Sequence, residues 1–572
     1  LNRTFARLRY ERDEAEEEIY KLRVEKLRPE IDAVIDHMRE RFHDDRVHTY
    51  LAALREDVLE HLDLFAAETD ADNDEQRELL QHYGVNILVD NAGTTRAPVV
   101  FERRVHYQDL FGTQEVIQEP GGEPRSSFMM IRAGALLRAS GGFLILRAED
   151  VVAQEEVWNE LKRTLDEGTA EIRGPAAPAP HGGSVKPEPI SVDLKVVLMG
   201  GEPLYDLLFY SDEEFSTLFK VPAEFDAVMP RTPETTAQYV RFMRMISNEE
   251  GLPTIGADGM AALTEYGVRL AEVRDKLSTR FSLLADLLRE AGYWVGKTGA
   301  AEVDRRVVER ALWERQYLHN MPEEKIDEQI LSGELLINVQ DRMVGRINGI
   351  AIVDRGYYAF ARPVLITSRT APGEDGIINI ERESGLSGEI HDKGIYILQG
   401  FLQAKYARDF PLSIHASIAF EQSYVEVDGD SASSAEVYVL LSSISDVPLR
   451  QDIAVTGSVN QMGQIQAVGG ISEKVDGFYA VCKKVGLTGA QGIIIPRKNV
   501  PNLILSRETQ DAVADGSFHI YAVDTIDEGV EILTAKQAGR AQGNGSFESG
   551  SVNDLVQARL REMARTMKEF GD

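Results

Sequence analysis

The stretch Tyr424-Val425-Glu426-Val427-Asp428-Gly429-Asp430-Ser431-Ala432-Ser433-Ser434-Ala435 decides how the chain reads. An acidic, glycine-bearing turn delivers Ser431 ahead of an apolar helix predicted over 432–445. N–H groups in a first helical turn lack intrahelical acceptors, and the helix dipole favours negative charge there. A serine at that point has donors close by for a developing oxyanion. The same residues also fit an ordinary N-cap, with a side-chain oxygen accepting from the first helical N–H groups. The turn alone leaves both readings open.

A serine hydroxyl acting as nucleophile needs a base. No histidine stands near a Gly-x-Ser-x-Gly motif and His-Glu-x-x-His is absent, so triad and zinc-protease readings lack support. A lysine is the other option. Lys474 lies in Gly469-Gly470-Ile471-Ser472-Glu473-Lys474, a turn opening a helix over 473–484 whose next residues are mostly apolar. A lysine half-buried there loses its proton more readily than one in water. A solvated helix residue fits the same pattern.

Around this pair, 344–352, 376–380, 414–420, 452–459 and 492–496 read as strands, and 393–405 as a helix. That is an α+β domain ending near Leu533, followed by a polar, Gly/Ser-rich stretch with a last helical run near 554–567. Upstream, short apolar runs at 85–89, 142–146 and 194–199 alternate with helical stretches such as 154–165, the pattern of a mostly parallel α/β sheet. The Pro- and Gly-rich segment 174–189 reads as a surface loop, and 235–318 as all-helical. Residues 1–83 carry dense charges of both signs, with apolar positions such as Leu22, Ile31, Val34, Ile35 and Met38 at helical spacing. They predict paired helices, with Pro29 at a break or a start.

The length of 572 residues predicts three or four domains, and 43% apolar with 27% charged residues is the balance of a globular protein. A formal net charge of −32 repels phosphate backbones, so no nucleic-acid partner is expected. A single cysteine, Cys482, excludes an intramolecular disulfide and a multi-cysteine zinc site. It reads as a small core residue and fits a reducing, cytoplasmic setting. No run reaches the ~18 apolar residues of a membrane span, and the opening residues do not form a signal peptide. The chain begins with Leu1, which fits a piece of a longer gene product.

Two segments invite a nucleotide reading. Gly296-Lys297-Thr298 would need a glycine at 291, where Ala291 stands, and 281–294 reads as helix instead of strand. The run Gly141-Gly142-Phe143-Leu144-Ile145-Leu146 should end in a metal-holding acid, but it runs into Arg147-Ala148, with Glu149 and Asp150 arriving late. A cation at that point repels Mg²⁺.

Taken together, Gly429-Asp430-Ser431-Ala432, Val455-Thr456-Gly457-Ser458 and Gly469-Gly470-Ile471-Ser472-Glu473-Lys474 resemble, in order and spacing, the proteolytic domain of Lon proteases. Gly134–Gly142, Gly345–Ala351 and Leu386–Gly394 belong to the same likeness, with His391 read as structural. Arg147 makes the chain similar in particular to the ATP-independent Lon-like proteases called LonC, with a degenerate AAA+ module. The resemblance implies a helical coiled-coil-like arm (1–83), a degenerate AAA+-like α/β module (84–234) and a helical AAA+ subdomain (235–320). A Lon proteolytic domain (321–536) and a flexible tail (537–572) follow. It implies a Ser431–Lys474 catalytic dyad, Thr456 holding the lysine amine, and Asp428 and Asp430 shaping or gating the turn. It further implies a cytoplasmic, hexameric endopeptidase that takes unfolded proteins and peptides into a ring chamber. No cofactor, metal, nucleic acid or membrane is expected, and ATP is not expected to be hydrolysed. The alternatives are an ATP-dependent Lon protease with its phosphate loop before residue 1, and a proteolytically dead, chaperone-like ring.

Overall fold

The computed structural model describes residues 2–62, 65, 82–115, 127–173, 187–356, 358–424, 426–543 and 545–571, in two compact units, 1–223 and 224–572. Residues 66–81 of the predicted arm, and most of the predicted loop 174–189, lie outside the described residues.

In the first unit a helix Asn2–Arg41 pairs with Asp45–Glu60. Tyr20 Oη donates to the Leu59 carbonyl at 2.7 Å, and Arg55 bonds Asp32, so the pair runs antiparallel. Pro29 neither breaks nor starts a helix, contrary to expectation, because the helical turns on both sides propagate through it. Ile35, Leu51 and Leu59 are buried, whereas Leu22, Val34 and Met38 stay exposed.

Val99–Phe101, Phe143–Arg147 and Lys195–Met199 then form a three-stranded parallel sheet, with Phe143–Arg147 in the centre. The amphipathic helix Glu155–Glu167 packs Val157, Trp158 and Leu161 into its core. The run 85–89 is not a strand. Leu88 and Val89 reach a small cluster around Ile131 and Ile172, while Val85 and Ile87 point to solvent.

The second unit opens with four helices, Pro233–Glu249, Ala257–Ala271, Phe281–Thr298 and Arg305–Tyr317, around Tyr239, Leu263, Leu287 and Val308. An antiparallel pairing of Val228–Pro230 with Lys276–Ser278 adds a short ribbon to this all-helical expectation.

The rest of this unit is organised by a seven-stranded mixed sheet. Its order is Gly376–Asn379, Ile414–Phe420, Ala359–Pro372, Arg346–Asp354, Ile453–Val455, Gly492–Pro496 and His519–Val523. Arg346–Asp354 pairs antiparallel with Ala359–Pro372 and parallel with Ile453–Val455, so the last four strands run in parallel. Both faces are covered, which is why Gly492–Pro496 is buried and apolar along its whole length. Along Ile493-Ile494-Ile495 the side chains alternate between two cores, one packed by helix Ser433–Ser445 and the other by helix Ile471–Val485.

The predicted flexible tail is instead part of this domain. Helix Val552–Gly571 buries Val552, Val556, Leu560 and Met563 in the same core as Tyr438 and Leu441. Its apolar residues recur at one-turn spacing, which makes a stripe too wide to leave in water.

Candidate active site

Both core helices begin at the carboxyl end of strand Ile453–Val455. Gly457, two residues beyond that strand, donates to the Ser431 carbonyl at 2.8 Å, and its own carbonyl accepts from Ser434 N at 3.0 Å. A Cβ at Gly457, whose φ is +156°, would meet Ser434 Oγ at 3.1 Å. The close approach of this turn to the helix start therefore depends on glycine.

The N-cap of Ser433–Ser445 is Ala432, and no side chain caps the helix. That removes the cap reading of Asp430 and Ser431. Asp430 serves the helix through its backbone carbonyl, which accepts from Ser433 N at 3.0 Å. Ser431 is half-buried, while Ser433 and Ser434 are 2% and 1% exposed. Of the three serines only Ser431 keeps its hydroxyl within reach of a ligand.

Lys474 lies in the first turn of helix Ile471–Val485 and is 3% exposed. The helix is set tightly on the sheet, because Gly477 rests on the Ala361 carbonyl, where a Cβ would come within 2.2 Å. Gly470, with φ of +61°, begins it against Ile352. No carboxylate is in ion-pair range of Lys474 Nζ among the described residues. Burial lowers its pKa to about 8, and the charge of Asp430 offsets that in part. A substantial fraction is therefore neutral near pH 8.

Asp430 Oδ2 accepts a 2.6 Å hydrogen bond from Ser458 Oγ. Asp428 accepts from Gly429 N at 2.8 Å and packs against Gly388, where a Cβ would meet its Oδ1 at 2.4 Å. Thr456 is 1% exposed, and its Oγ1 donates to the Ser431 carbonyl at 3.3 Å. That bond uses the hydroxyl proton and leaves the Oγ1 lone pairs for an N–H of the lysine amine, the role the resemblance implies. Ser431, Asp430, Thr456 and Ser458 thus form one connected turn, coupled to Lys474 through the Asp430 charge.

Sequence reasoning passed over Glu436, Glu381 and the contact of His391 with the first of these. All three are buried behind the turn. The signal was present as the one charged residue, between Ala435 and Val437, of a helix that is otherwise uncharged.

Arg147 ends the central strand, and Glu149 Oε1 is engaged by Gly201 N at 3.2 Å. Gly296-Lys297-Thr298 closes helix Phe281–Thr298, with Thr298 Oγ1 bonded to the Trp294 carbonyl and Lys297 over the Tyr293 ring.

Comparison with known families agrees with this architecture. Residues 95–226 match the LonB-like AAA domain, 254–317 the archaeal LonB AAA+ ATPase LID domain, and 396–536 the Lon protease (S16) C-terminal proteolytic domain. A Lon protease homolog of Escherichia coli is 32% identical over 452 residues, which cover 78% of this chain and 74% of that protein. One from Haemophilus influenzae is 29% identical over 500 residues (84% and 82%). An archaeal Lon protease of Thermococcus kodakarensis is 25% identical over 486 residues (83% and 70%). Fold and matches define a serine peptidase joined to an AAA-like module. The chain belongs to the Lon protease family. No described helix is long and apolar enough to cross a membrane.

Proposed function

We propose that the chain is a Lon-type endopeptidase with Ser431 as nucleophile and Lys474 as general base, working without ATP hydrolysis. The carrying observation is Lys474 itself: a lysine 3% exposed, with its pKa lowered to about 8 by burial, beside the turn that presents Ser431. Neutral Nζ accepts the Ser431 Oγ proton as Oγ attacks the peptide carbonyl carbon. The tetrahedral oxyanion collapses, the C–N bond breaks, and Lys474 returns the proton to the leaving amine. Water then attacks the acyl-enzyme ester, losing its proton to Lys474, and Ser431 is regenerated.

The oxyanion is met by the Ser431 and Ala432 N–H groups, since the Ser433 and Ser434 N–H groups already serve the Asp430 and Gly457 carbonyls. Thr456 and Ser458 hold the turn. Asp430 keeps Lys474 from becoming too weak a base, and Asp428 shapes the approach beside Gly388.

Arg147 at the end of the central strand supports nucleotide independence. The substrates are unfolded proteins and peptides, cut in the cytoplasm within a chamber formed by six copies. An exposed endopeptidase would attack folded neighbours, and without ATP-driven pulling only unfolded chains thread inside. Casein digestion after nucleotide removal, with and without ATP and Mg²⁺, and with Ser431→Ala as control, tests the whole reading. Cleavage without nucleotide, lost in Ser431→Ala, supports it. A strict requirement for hydrolysable ATP overturns independence, and no cleavage in any arm favours a dead ring.

A further inference from the structure

Helix Ser433–Ser445 carries one acid in its apolar interior. Glu436 has no exposed surface, and neither of its carboxyl oxygens has a hydrogen-bond partner. Facing Oε1 at 3.5 Å is His391 Nε2, on helix Glu389–Tyr406, equally buried and likewise without a hydrogen-bond partner. The Phe420 ring stands edge-on to the imidazole at 5.3 Å. The Gly429 carbonyl stands near enough to the ring to raise its proton affinity, short of a formed hydrogen bond in this geometry. With Nε2 turned to Glu436, that contact falls to Nδ1. Glu436, His391 and Gly429 therefore line up from the helix interior to the turn that carries Ser431.

The groups around this line are nearly all acids. Glu381, from Ile380–Glu383, is 4% exposed and bonds Phe420 N through one oxygen. Asp428 and Asp430 come from the turn, Asp392 neighbours His391, and Glu421 acts on Glu381. Among the described residues no lysine or arginine pairs with Glu436. Burial first, then Glu381 and Asp430, push the Glu436 pKa up to about 8, and burial lowers that of His391. At neutral pH the pair therefore holds a carboxylic acid opposite a neutral imidazole.

We propose that Glu436 and His391 are positioning residues for the nucleophile. The Glu436 O–H donates to His391 Nε2, which fixes the Nδ1–H tautomer, and Nδ1–H holds the Gly429 carbonyl and with it the Gly429-Asp430-Ser431 turn. This rests on the Ser431–Lys474 reading above. A small rotation of the carboxyl group closes the 3.5 Å gap to hydrogen-bond length. When Glu436 loses its proton to solvent, its carboxylate faces the Nε2 lone pair. The ring proton then moves from Nδ1 to Nε2, and bare Nδ1 no longer holds Gly429. Cleavage falls at alkaline pH although Lys474 is by then a neutral base.

The experiment is peptide hydrolysis by wild type, Glu436→Gln, Glu436→Leu and His391→Phe across the neutral to alkaline range, with folding checked by circular dichroism. Wild type should show a bell, rising as Lys474 deprotonates and falling as Glu436 does. Glu436→Gln keeps a donor that does not titrate, so the rise remains and the fall disappears. Glu436→Leu and His391→Phe should lose about 10- to 100-fold in kcat with KM little changed. A wild-type profile without an alkaline fall, an undiminished fall in Glu436→Gln, or full kcat in folded Glu436→Leu overturns the proposal. Infrared difference spectra give a readout free of activity and of any variant. A buried carboxylic-acid carbonyl band should be present in wild type at neutral pH and titrate away on the alkaline side. Its absence overturns the proposal even if variants fail to fold. Cleavage retained in Ser431→Ala would instead sink the catalytic reading, whatever the infrared shows.

Discussion

The Asp430 carboxylate is held by Ser458 Oγ at 2.6 Å and at the same time acts on the buried Lys474 ammonium. One acid beside Ser431 thus connects the strand end to the lysine helix. Its charge raises the Lys474 pKa against the larger effect of burial. In Asp430→Asn that support is gone, so the rising limb of residual cleavage should move to lower pH by roughly one unit. An unmoved limb would mean that Lys474 does not sense this acid.

Ser431→Ala should abolish cleavage of unfolded protein without changing the assembly seen by size-exclusion chromatography. Ser433 and Ser434 cannot take over, because both are buried and Ser433 Oγ already accepts from Val459 N at 3.0 Å. Partial activity in this variant would assign the attack to one of them.

Lys474→Arg should be inactive, since a guanidinium stays protonated in proteins. Lys474→Met should also be inactive yet more stable. The folded pKa of about 8 lies below the ordinary 10.5, so the unfolded chain binds more protons between these values. Wild-type stability therefore rises with pH across that window and carries the full penalty below it. Urea unfolding near pH 7 should show Lys474→Met ahead by at most about 3 kcal/mol. The lead should shrink as pH rises through the window, and a lead that holds at high pH would place its origin in packing.

Thr456→Val should weaken cleavage without abolishing it, because it removes the 3.3 Å bond to the Ser431 carbonyl and leaves the serine and lysine in place. Turnover measured beside thermal melts separates this from unfolding. Complete loss in a folded variant would give Thr456 a direct part in the chemistry.

Gly477→Ala should cost about 1–3 kcal/mol and lower cleavage, since its Cβ meets the Ala361 carbonyl at 2.2 Å and the helix carrying Lys474 must shift. Gly469→Ala, with nothing within 4 Å, is the control and should stay within about 0.5 kcal/mol of wild type. Equal losses in both would mean that contact with the sheet does not set the lysine.

Leu560→Ala should destabilise the protease domain by about 2–5 kcal/mol, because Leu560 is 1% exposed in its core. A wild-type denaturation midpoint would restore the idea of a loose tail.

The helices and strands around the site were legible where local pattern and burial agree. The helix Ser433–Ser445 starts one residue from its expected position, and Gly492–Pro496 falls where the apolar run placed it. Strand Ala359–Pro372 was not legible. Arg362 interrupts its apolar pattern, and only the fold supplies the buried Asp327 that binds it at 2.6 Å. The last helix was read as local structure but not as core, since its partners lie more than a hundred residues upstream in Tyr438 and Leu441.

By itself the sequence determined where a nucleophile and a base could stand. Turn chemistry and helix periodicity are short-range properties, carried by Gly429, Ser431, Gly470 and Lys474 in their own segments. Tertiary structure alone decided their chemical state. It left Ser431 out of a cap, turned the Thr456 hydroxyl to a carbonyl, removed water from Lys474 and set Glu436 against His391. The physical reason is that protonation and hydrogen-bond choice follow from desolvation and from charges on distant segments, which no local pattern encodes.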